Sequence, residues 1–586
     1  MIVPMKKVTV VVQEKDASSA VNAMRSLGVL HVEHEVAPAG KDINELQDDL
    51  ALINRAIAIL SETEFFSKKA TVAKEPSDWK SNALHIVDLR KRYDQLRQYS
   101  LTLKKAISDW QPWGDFDPQA IKQLNGKNIY VRFFQIPLKD IKNLPAEVVV
   151  KKISVKTGVA NCALVSREKI EVPFKELNLP QMGLARMQAR LVEDARVVQV
   201  IKEEVKQQTV RLESFFATRK LLEDELELHQ VRRGMGQIGN FMYLTGYAPF
   251  DVTDTLLAAA KKQKWGILVG DPSEEDNVPT LIRSPRWVAL ISPLFKLLEI
   301  IPGYRELDIS PLFLIFFSLF FGMIIGDAGY GIIYMLLTFL LQKKFGRKID
   351  QKIFLLLYLL TSCAVFWGLL TGTVFGQEWY LKSGLKPLAP ILNDTKFLQA
   401  FCFLLGAFHL SLGHLWQAIH KAPSLSALAD LGWTSLLWAG FFLAKTLILN
   451  DPFPFFGQWL IIGGITLAIL FSSPQKNILK MVGGGLANVL LSLVNSFTDV
   501  VSYIRLFAVG LAGVAIADTV NILAADFGAS NPLVKIMIVF LGHTMNLVLA
   551  PLSVLIHGVR LNILEFSGHA GLSWSGIEYK PLKESP

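Results

Sequence analysis

The chain has 586 residues, 51% of them apolar, with a mean hydropathy of +0.33 and a formal charge of +9. So apolar a composition excludes an ordinary soluble protein, and the length allows two or more domains. The basic excess is spread over both halves without a Lys/Arg block interleaved with aromatics, which argues against nucleic acid as a partner and for the loops of a membrane protein.

The N-terminal stretch MIVPMKKVTVVVQEKD has an apolar run too short for a signal peptide, so the first half is expected to stay in the cytoplasm. Lys7 to Val12 reads as a strand, Asp16 to Leu27 as a helix and Val29 to Val32 as a strand, a β-α-β unit. A second such unit is expected around Asn128 to Glu168, where NIYVRFFQIP and KISVK frame a short helix. These predict two α/β lobes, near 1–40 and at 125–180 with 236–285.

Between the lobes the apolar period changes. Ile43, Leu46, Leu50, Ile53, Ile57 and Leu60 step by three and four, as do Ile86, Leu89, Tyr93, Leu96, Leu103, Ile107 and Trp110. The stripe returns at Leu191, Val198, Ile201, Val205, Leu212, Phe215, Leu222 and Leu226. Such narrow stripes predict coiled coil, and one helix cannot bury its own stripe. Residues 41–112 are therefore expected to pack antiparallel on 182–235 as a rod with a lobe at each end. The fold class expected for 1–290 is α+β, followed at 291–586 by an all-α polytopic membrane domain.

Eight spans are predicted, at 309–325, 330–342, 353–375, 397–419, 425–447, 457–472, 484–523 and 533–566. GDAGYG at 326–331 should bend the first pair into a hairpin. The last two segments exceed the roughly 20 residues a bilayer requires, so they must tilt or extend beyond it. With the soluble half inside, the loops at 343–352, 420–424 and 473–481 are cytoplasmic and carry five, one and two Lys/Arg, while those at 448–456 and 524–532 are external and carry none. Three lysines in the external loop 376–396 go against this bias. An even number of spans returns Lys580 and Lys583, with the C-terminus, to the cytoplasm.

From Val500 to Ala517 the only charge is Arg505. An arginine at the centre of a bilayer costs about 2.5–3.5 kcal/mol on insertion scales. Asn488, Ser492, Asn495, Asp499 and Ser502 form one stripe on the same span, with Arg505 at its edge; His543, Asn546, Ser553, His557 and Arg560 share a face of the eighth. Ser, Asn and His can also act as glue between helices. Asp499 lies on another azimuth from Arg505 and Asp327 at a predicted turn, so Arg505 is expected to find its carboxylate in another chain. Because a guanidinium cannot neutralise itself, it would attract a carboxylate that arrives ionised and release one that has taken a proton or Na⁺.

The segment SYIRLFAVGLAG at 502–513 closely resembles the arginine-bearing segment of subunit a, or subunit I, of V-type and A-type ATPases. The resemblance extends to FFGMIIGDAGYG at 320–331, GAFHLSLGHLWQ at 406–417 and HGVRLNILEFSG at 557–568, where the family's second arginine matches Arg560. It implies a stator subunit, not itself an enzyme, in which Arg505 faces a proteolipid rotor ring (c/K subunits) whose glutamates carry H⁺ or Na⁺. Two offset half-channels would lie along the last two spans, lined by the polar residues above and Glu565. The soluble half would anchor peripheral stalk subunits of the E and G type, with a central-stalk adaptor of the d/C type as a further partner. A compact chain of this kind implies the plasma membrane of a bacterium or archaeon, in contact with lipid. Where eukaryotic relatives carry an intramembrane glutamate, this chain has Ala550.

No phosphate loop, Ser/His/Asp constellation or metal-ligand cluster stands in the sequence, Cys162, Cys363 and Cys402 are far apart, and no cofactor is expected. His409 and His414 are five apart and do not share a helical face, which favours helix packing over a metal site. The alternative functions are an ion-coupled secondary transporter with a cytoplasmic coiled coil, against which stands the lack of a second SYIRLF segment, and a plain membrane anchor, which leaves Arg505 unexplained.

Overall fold

The computed structural model describes residues 1–62, 64–65, 78–145, 147–156, 158–378, 387–472, 489, 492–528 and 531–584. The chain divides into two compact units, Met1–Thr9 with Val29–His31 and Gly246–Pro581, and Val10–Gly28 with Val32–Thr245 and Leu582–Pro586.

Strand β1 (Met5–Gln13), helix α1 (Ala17–Leu27) and strand β2 (His31–Glu33) follow the order expected from the sequence. Within the second unit, α1 buries Ala17, Ala20, Val21 and Met24, a three-and-four spacing that makes one apolar face, and ends on Gly28 at φ +65°. Helices α2 (Lys41–Ser61), α3 (Trp79–Trp110), α5 (Leu184–Gln208) and α6 (Leu212–Arg233) pack around Ile53, Ile57, Leu60, Ile86, Leu89, Ile201, Val205, Phe215 and Leu222. Asp78 opens α3 by accepting from Ser81 N. The pairing is antiparallel. Asp42 at the start of α2 meets His229 near the end of α6 at 3.0 Å. His85 early in α3 meets Glu204 late in α5 at 3.0 Å, and Asp115 beyond α3 accepts from Ala185 N at the start of α5.

The second β-α-β expectation is corrected. After the short helix α4 (Pro118–Asn125), strands β3 (Tyr130–Pro137), β4 (Val149–Lys156), β5 (Val159–Ser166) and β6 (Glu176–Leu177) form a sheet in the order β4-β5-β3-β6, with β5 antiparallel to both β3 and β4. Among the described residues, one 3-10 turn, Ile141–Asn143, lies between β3 and β4. Because β5 is antiparallel to both, β3 and β4 run parallel to each other with β5 between them; the connection from β3 to β4 is a short loop in place of the expected helix, and Gly158 at φ +82° turns β4 back into β5. The run VANCALVS was thus an unrecognised central strand, and its Cys162 is buried beside Phe134 and Leu164. Strands β7 (Gly236–Ile238) and β8 (Phe241–Pro249) pair antiparallel.

The first unit contains helix α7 (Thr253–Gln263), strand β9 (Gly266–Gly270) and the short helix α8 (Ser292–Leu297). The apolar helices then follow: α9 (Ser310–Ile325), α10 (Ala328–Phe345), α11 (Gln351–Thr371), α12 (Thr395–Lys421), α13 (Ala427–Leu449), α14 (Phe455–Phe471), α15 (Ser492–Phe527) and α16 (Pro532–His569). Each predicted span is helical over most of its described residues, with 372–375 giving way to a turn and the strand Thr373–Val374, and length and composition alone do not establish eight crossings. Among the described residues, α11, α12, α13, α15 and α16 are long and apolar enough to cross a membrane. Helices α9 and α10 pass only together, bent by 119°, and α14 has 17 residues. The bend has a local cause. Gly326 takes φ +65°, and the buried Asp327 carboxylate accepts from Tyr330 N at 3.1 Å and from Gly376 N at 2.7 Å, capping α10 and tying it to the end of α11. The chain is an α-rich membrane protein.

Candidate functional site: an arginine–glutamate cluster

Position on α15 is fixed just before Arg505 by Tyr503, which is fully buried. Its ring lies over Gly406 of α12, where a Cβ would stand 2.7 Å from the ring, so glycine is required for the approach. The Tyr503 hydroxyl pairs with His409 Nδ1 at 2.8 Å. The His409 ring is stacked between Phe316 of α9 and Phe566 of α16, at centroid distances of 3.7 and 4.1 Å. One imidazole thus joins four helices, its own α12 with α9, α15 and α16, with Arg505 two residues from one contact and Glu565 one residue from another.

Arg505 donates from Nη1 to Glu565 Oε1 at 3.1 Å and from Nη2 to Ser502 Oγ at 3.0 Å. Arg560 Nε approaches the same Glu565 oxygen at 3.5 Å. The Glu565 side chain is 4% exposed, against 24% for Arg505 and 53% for Arg560. Glu565 Oε2 is buried and lacks a hydrogen-bond partner among the described residues.

Arg505 therefore has a carboxylate in its own chain, contrary to the expectation from sequence. The reason lies in α16. Beyond Pro551 it widens into two π-helical stretches, Val554–Gly558 and Leu561–Phe566. At 100° per residue Arg560 and Glu565 would point about 140° apart, whereas i→i+5 geometry returns the fifth residue toward the same face. A straight-helix reading cannot find this pair.

Of the other candidates, Asn488 lies outside the described residues. Ser492 is half-buried and Asn495 exposed, while Asp499 Oδ2 pairs with His569 Nε2 at 3.0 Å. His543 is held between Tyr330 Oη at 2.6 Å and Asn521 Oδ1 at 3.0 Å, and Asn546 donates to the Gly513 carbonyl at 2.9 Å. Ser553 and His557 are half-buried on α16, and Ala550 at the family's glutamate position is likewise half-buried. Sequence reasoning missed Tyr330, Asn521 and His569. Each is a polar group in an apolar segment, and that was the available signal. Two polar networks result, at opposite ends of α15 from Arg505: one around His543 and Asn521, the other around Asp499 and His569.

These features define a class: a polytopic α-helical membrane protein with a buried guanidinium–carboxylate cluster between polar networks. No family model matches the chain. It is 31% identical to the V-type ATP synthase subunit I of Borreliella burgdorferi and 32% identical to V-type ATP synthase subunit I 1 of Treponema pallidum, each alignment covering 100% of both chains. The A-type ATP synthase subunit I of Methanocaldococcus jannaschii is 28% identical over 54% of this chain and 50% of its own. A solved cytoplasmic N-terminal domain of subunit I aligns with 45% of the chain and 99% of its own at 14% identity and a TM-score of 0.23. The chain belongs to the V-type ATP synthase subunit I family, the membrane subunit of a rotary ATPase complex.

Proposed function

We propose that this chain is the stator of that complex, passing ions to and from a rotor ring through two offset half-channels. The observation that carries the reading is the cluster of Arg505, Arg560 and Glu565 with a separate polar network on either side of it along α15. A ring carboxylate would reach Arg505 ionised, having released its ion into one half-channel, and leave after loading from the other. Large apolar side chains of α16, among them Met537, Phe540, Leu541, Met545 and Val548, stand exposed and offer the ring a surface continuous with Arg560. Ser492, Asn495, Asp499 and Ser502 would line the cytoplasmic path, and His543, Asn546, Ser553 and His557 the external one.

In this reading residues 1–290 form a lobed antiparallel rod that anchors the peripheral stalks, the membrane domain makes eight passes, and both termini face the cytoplasm. The ion pairs of α2, α3, α5 and α6 support rigidity along that rod. The test is purification of the native complex. Co-purification of a proteolipid ring and stalk subunits is expected, and a lone oligomer would favour the secondary transporter.

A further inference from the structure

The most basic of the predicted loops has no part in the stator reading. Lys343, Lys344, Arg347, Lys348 and Lys352 lie at the turn from α10 into α11, and all five are exposed. None of them forms an ion pair among the described residues. The carboxylate in their midst, Asp350, is engaged in capping α11, where it accepts from Lys352 N at 3.0 Å. Phe345 and Ile349 stand exposed between the cations, and Lys344 Nζ lies 5.3 Å from the centre of the Phe345 ring.

A second element comes to the same end of the helices. Residues 288–297, a 3-10 turn running into α8, bury Val288, Ile291, Leu294 and Phe295. Phe295 meets Phe313, near the start of α9, edge to face with ring centres 4.9 Å apart. A Cβ at Gly322 would stand 2.8 Å from the Cys363 carbonyl oxygen and one at Gly368 would meet Ala328 N, so the contacts advance together and α9 runs parallel to α11. Ser310 and Gln351, which open these helices, each lie twelve residues before Gly322 and Cys363 and are therefore level. That brings α8 and the basic loop to one end of the membrane helices. The element exposes Arg286 and Trp287 at its start and Lys296 and Leu297 at its end, with Trp287 52% and Leu297 72% exposed.

We propose that the loop 343–352 and the two ends of the 288–297 element form a binding surface for anionic phospholipid. It would hold phosphodiester headgroups of the leaflet on that side, the cytoplasmic one in the orientation proposed above. Residues 286–299 and 343–352 together carry seven Lys/Arg against two carboxylates, Glu299 and Asp350, an excess of five positive charges. Orientation alone asks for less, since the predicted loops 420–424 and 473–481 carry one and two Lys/Arg. Clusters of about four to eight cations beside a membrane helix hold anionic headgroups. Arg347 can meet two phosphate oxygens at once, while the lysines act as point charges. An acidic protein segment would answer the charge too, but Trp287, Leu297, Phe345 and Ile349 suit the boundary between headgroups and acyl chains. The proposal requires a chain embedded in lipid and is independent of what Arg505 does.

The test places the purified complex in phosphatidylcholine vesicles with a trace of spin-labelled phosphatidylglycerol or spin-labelled phosphatidylcholine, and compares the fractions of label immobilised by the protein. Each cation beside an anionic lipid is worth about a fivefold preference. Wild type should therefore prefer phosphatidylglycerol by about fivefold or more, and about 0.5 M NaCl should erase most of that preference by screening. The triple variant Lys344→Gln, Arg347→Gln, Lys348→Gln should bring it below about twofold. Arg286→Gln with Lys296→Gln leaves the loop intact and should lower it in part, which decides the matter if the triple variant does not assemble. Lys396→Gln, on the predicted external side, should leave it unchanged. A wild-type complex without preference overturns the proposal whatever the variants do, as does a preference that the assembled variants keep in full or that Lys396→Gln lowers equally. Wild-type lipid preference in the triple variant together with loss of another subunit from the complex would give the surface to a protein partner instead.

Discussion

Replacement of Glu565 by glutamine tests whether the internal carboxylate competes with an arriving one for Arg505. The amide keeps the shape and one acceptor oxygen but removes the charge. Hydrogen bonds involving a charged group contribute about 1.5–3 kcal/mol; the guanidinium–carboxylate pair stands at the upper end and the amide, still facing a charged guanidinium, at the lower, so the 3.1 Å bond from Arg505 weakens by roughly 1–1.5 kcal/mol. The Arg560 contact is longer and its side chain is 53% exposed, so screening reduces it to about 0.2–1 kcal/mol. Together Glu565→Gln removes about 2 kcal/mol of competition, which at 1.36 kcal/mol per decade is about a 30-fold slower release of the rotor carboxylate. ATP-driven transport by vesicle-reconstituted complexes should fall by about that factor, with subunit composition unchanged. Glu565→Asp keeps the charge on a shorter arm and should fall between the two. Transport by Glu565→Gln within twofold of wild type would refute the competition.

Arg505→Lys should give assembled complexes without coupled transport, because a buried ammonium can lose its proton and lacks the planar donors that meet Glu565 and Ser502 together; ATP-driven ion uptake is the measurement. Asn546→Ala and His557→Ala should each reduce flux only in part, since water can replace either side chain, and unchanged flux in both would make them helix glue. Gly406→Val should disrupt the seating of Tyr503, where even a Cβ meets the ring at 2.7 Å, and lower the yield of assembled complex by an amount consistent with about 1–3 kcal/mol of overpacking. In the second unit, bonds from Tyr93 and then Lys202 hold the Glu64 carboxyl below its ordinary range. A lowered folded value means stabilisation that is present above the ordinary carboxylate range and lost as pH falls through it, so hydrogen exchange in α2 and α5 should quicken on acidification, and Glu64→Gln should flatten that response.

Period and composition carried most of the fold. Three-and-four spacing located α2, α3, α5 and α6 because their buried faces are narrow stripes, and apolar length located α9 to α16 because lipid tolerates little else. What escaped were features decided by a few backbone angles. Gly158 folded an unexpected strand, β5, in between the two expected ones, and the two π stretches of α16 turned Glu565 toward arginines it should not have reached. The bend of α9 against α10 was visible as GDAGYG, but its extent depends on Asp327 and Gly376, 49 residues apart in the chain. His569 was passed over for a similar reason: it lies near a helix end, where a polar residue is unremarkable until its neighbours from other helices are known.

In the stator reading proposed above, the charge count of the cluster would let an arginine be both stable in the membrane and available to a moving partner. A guanidinium left alone in the hydrocarbon would be too costly, and one paired to a carboxylate of its own would have no attraction left for another. Here two guanidinium groups share a single oxygen of Glu565, at 3.1 and 3.5 Å, so the cluster of Arg505, Arg560 and Glu565 keeps a net charge of one positive. The internal partner would let the chain fold without a carboxylate from another subunit. The surplus charge is what a second carboxylate would feel, and because Glu565 already holds part of each arginine, that carboxylate would be gripped less tightly than by a bare guanidinium. Such balance suits a contact that must form and break at every step of a ring, and it depends on the π-helical turn that sets Arg560 and Glu565 side by side.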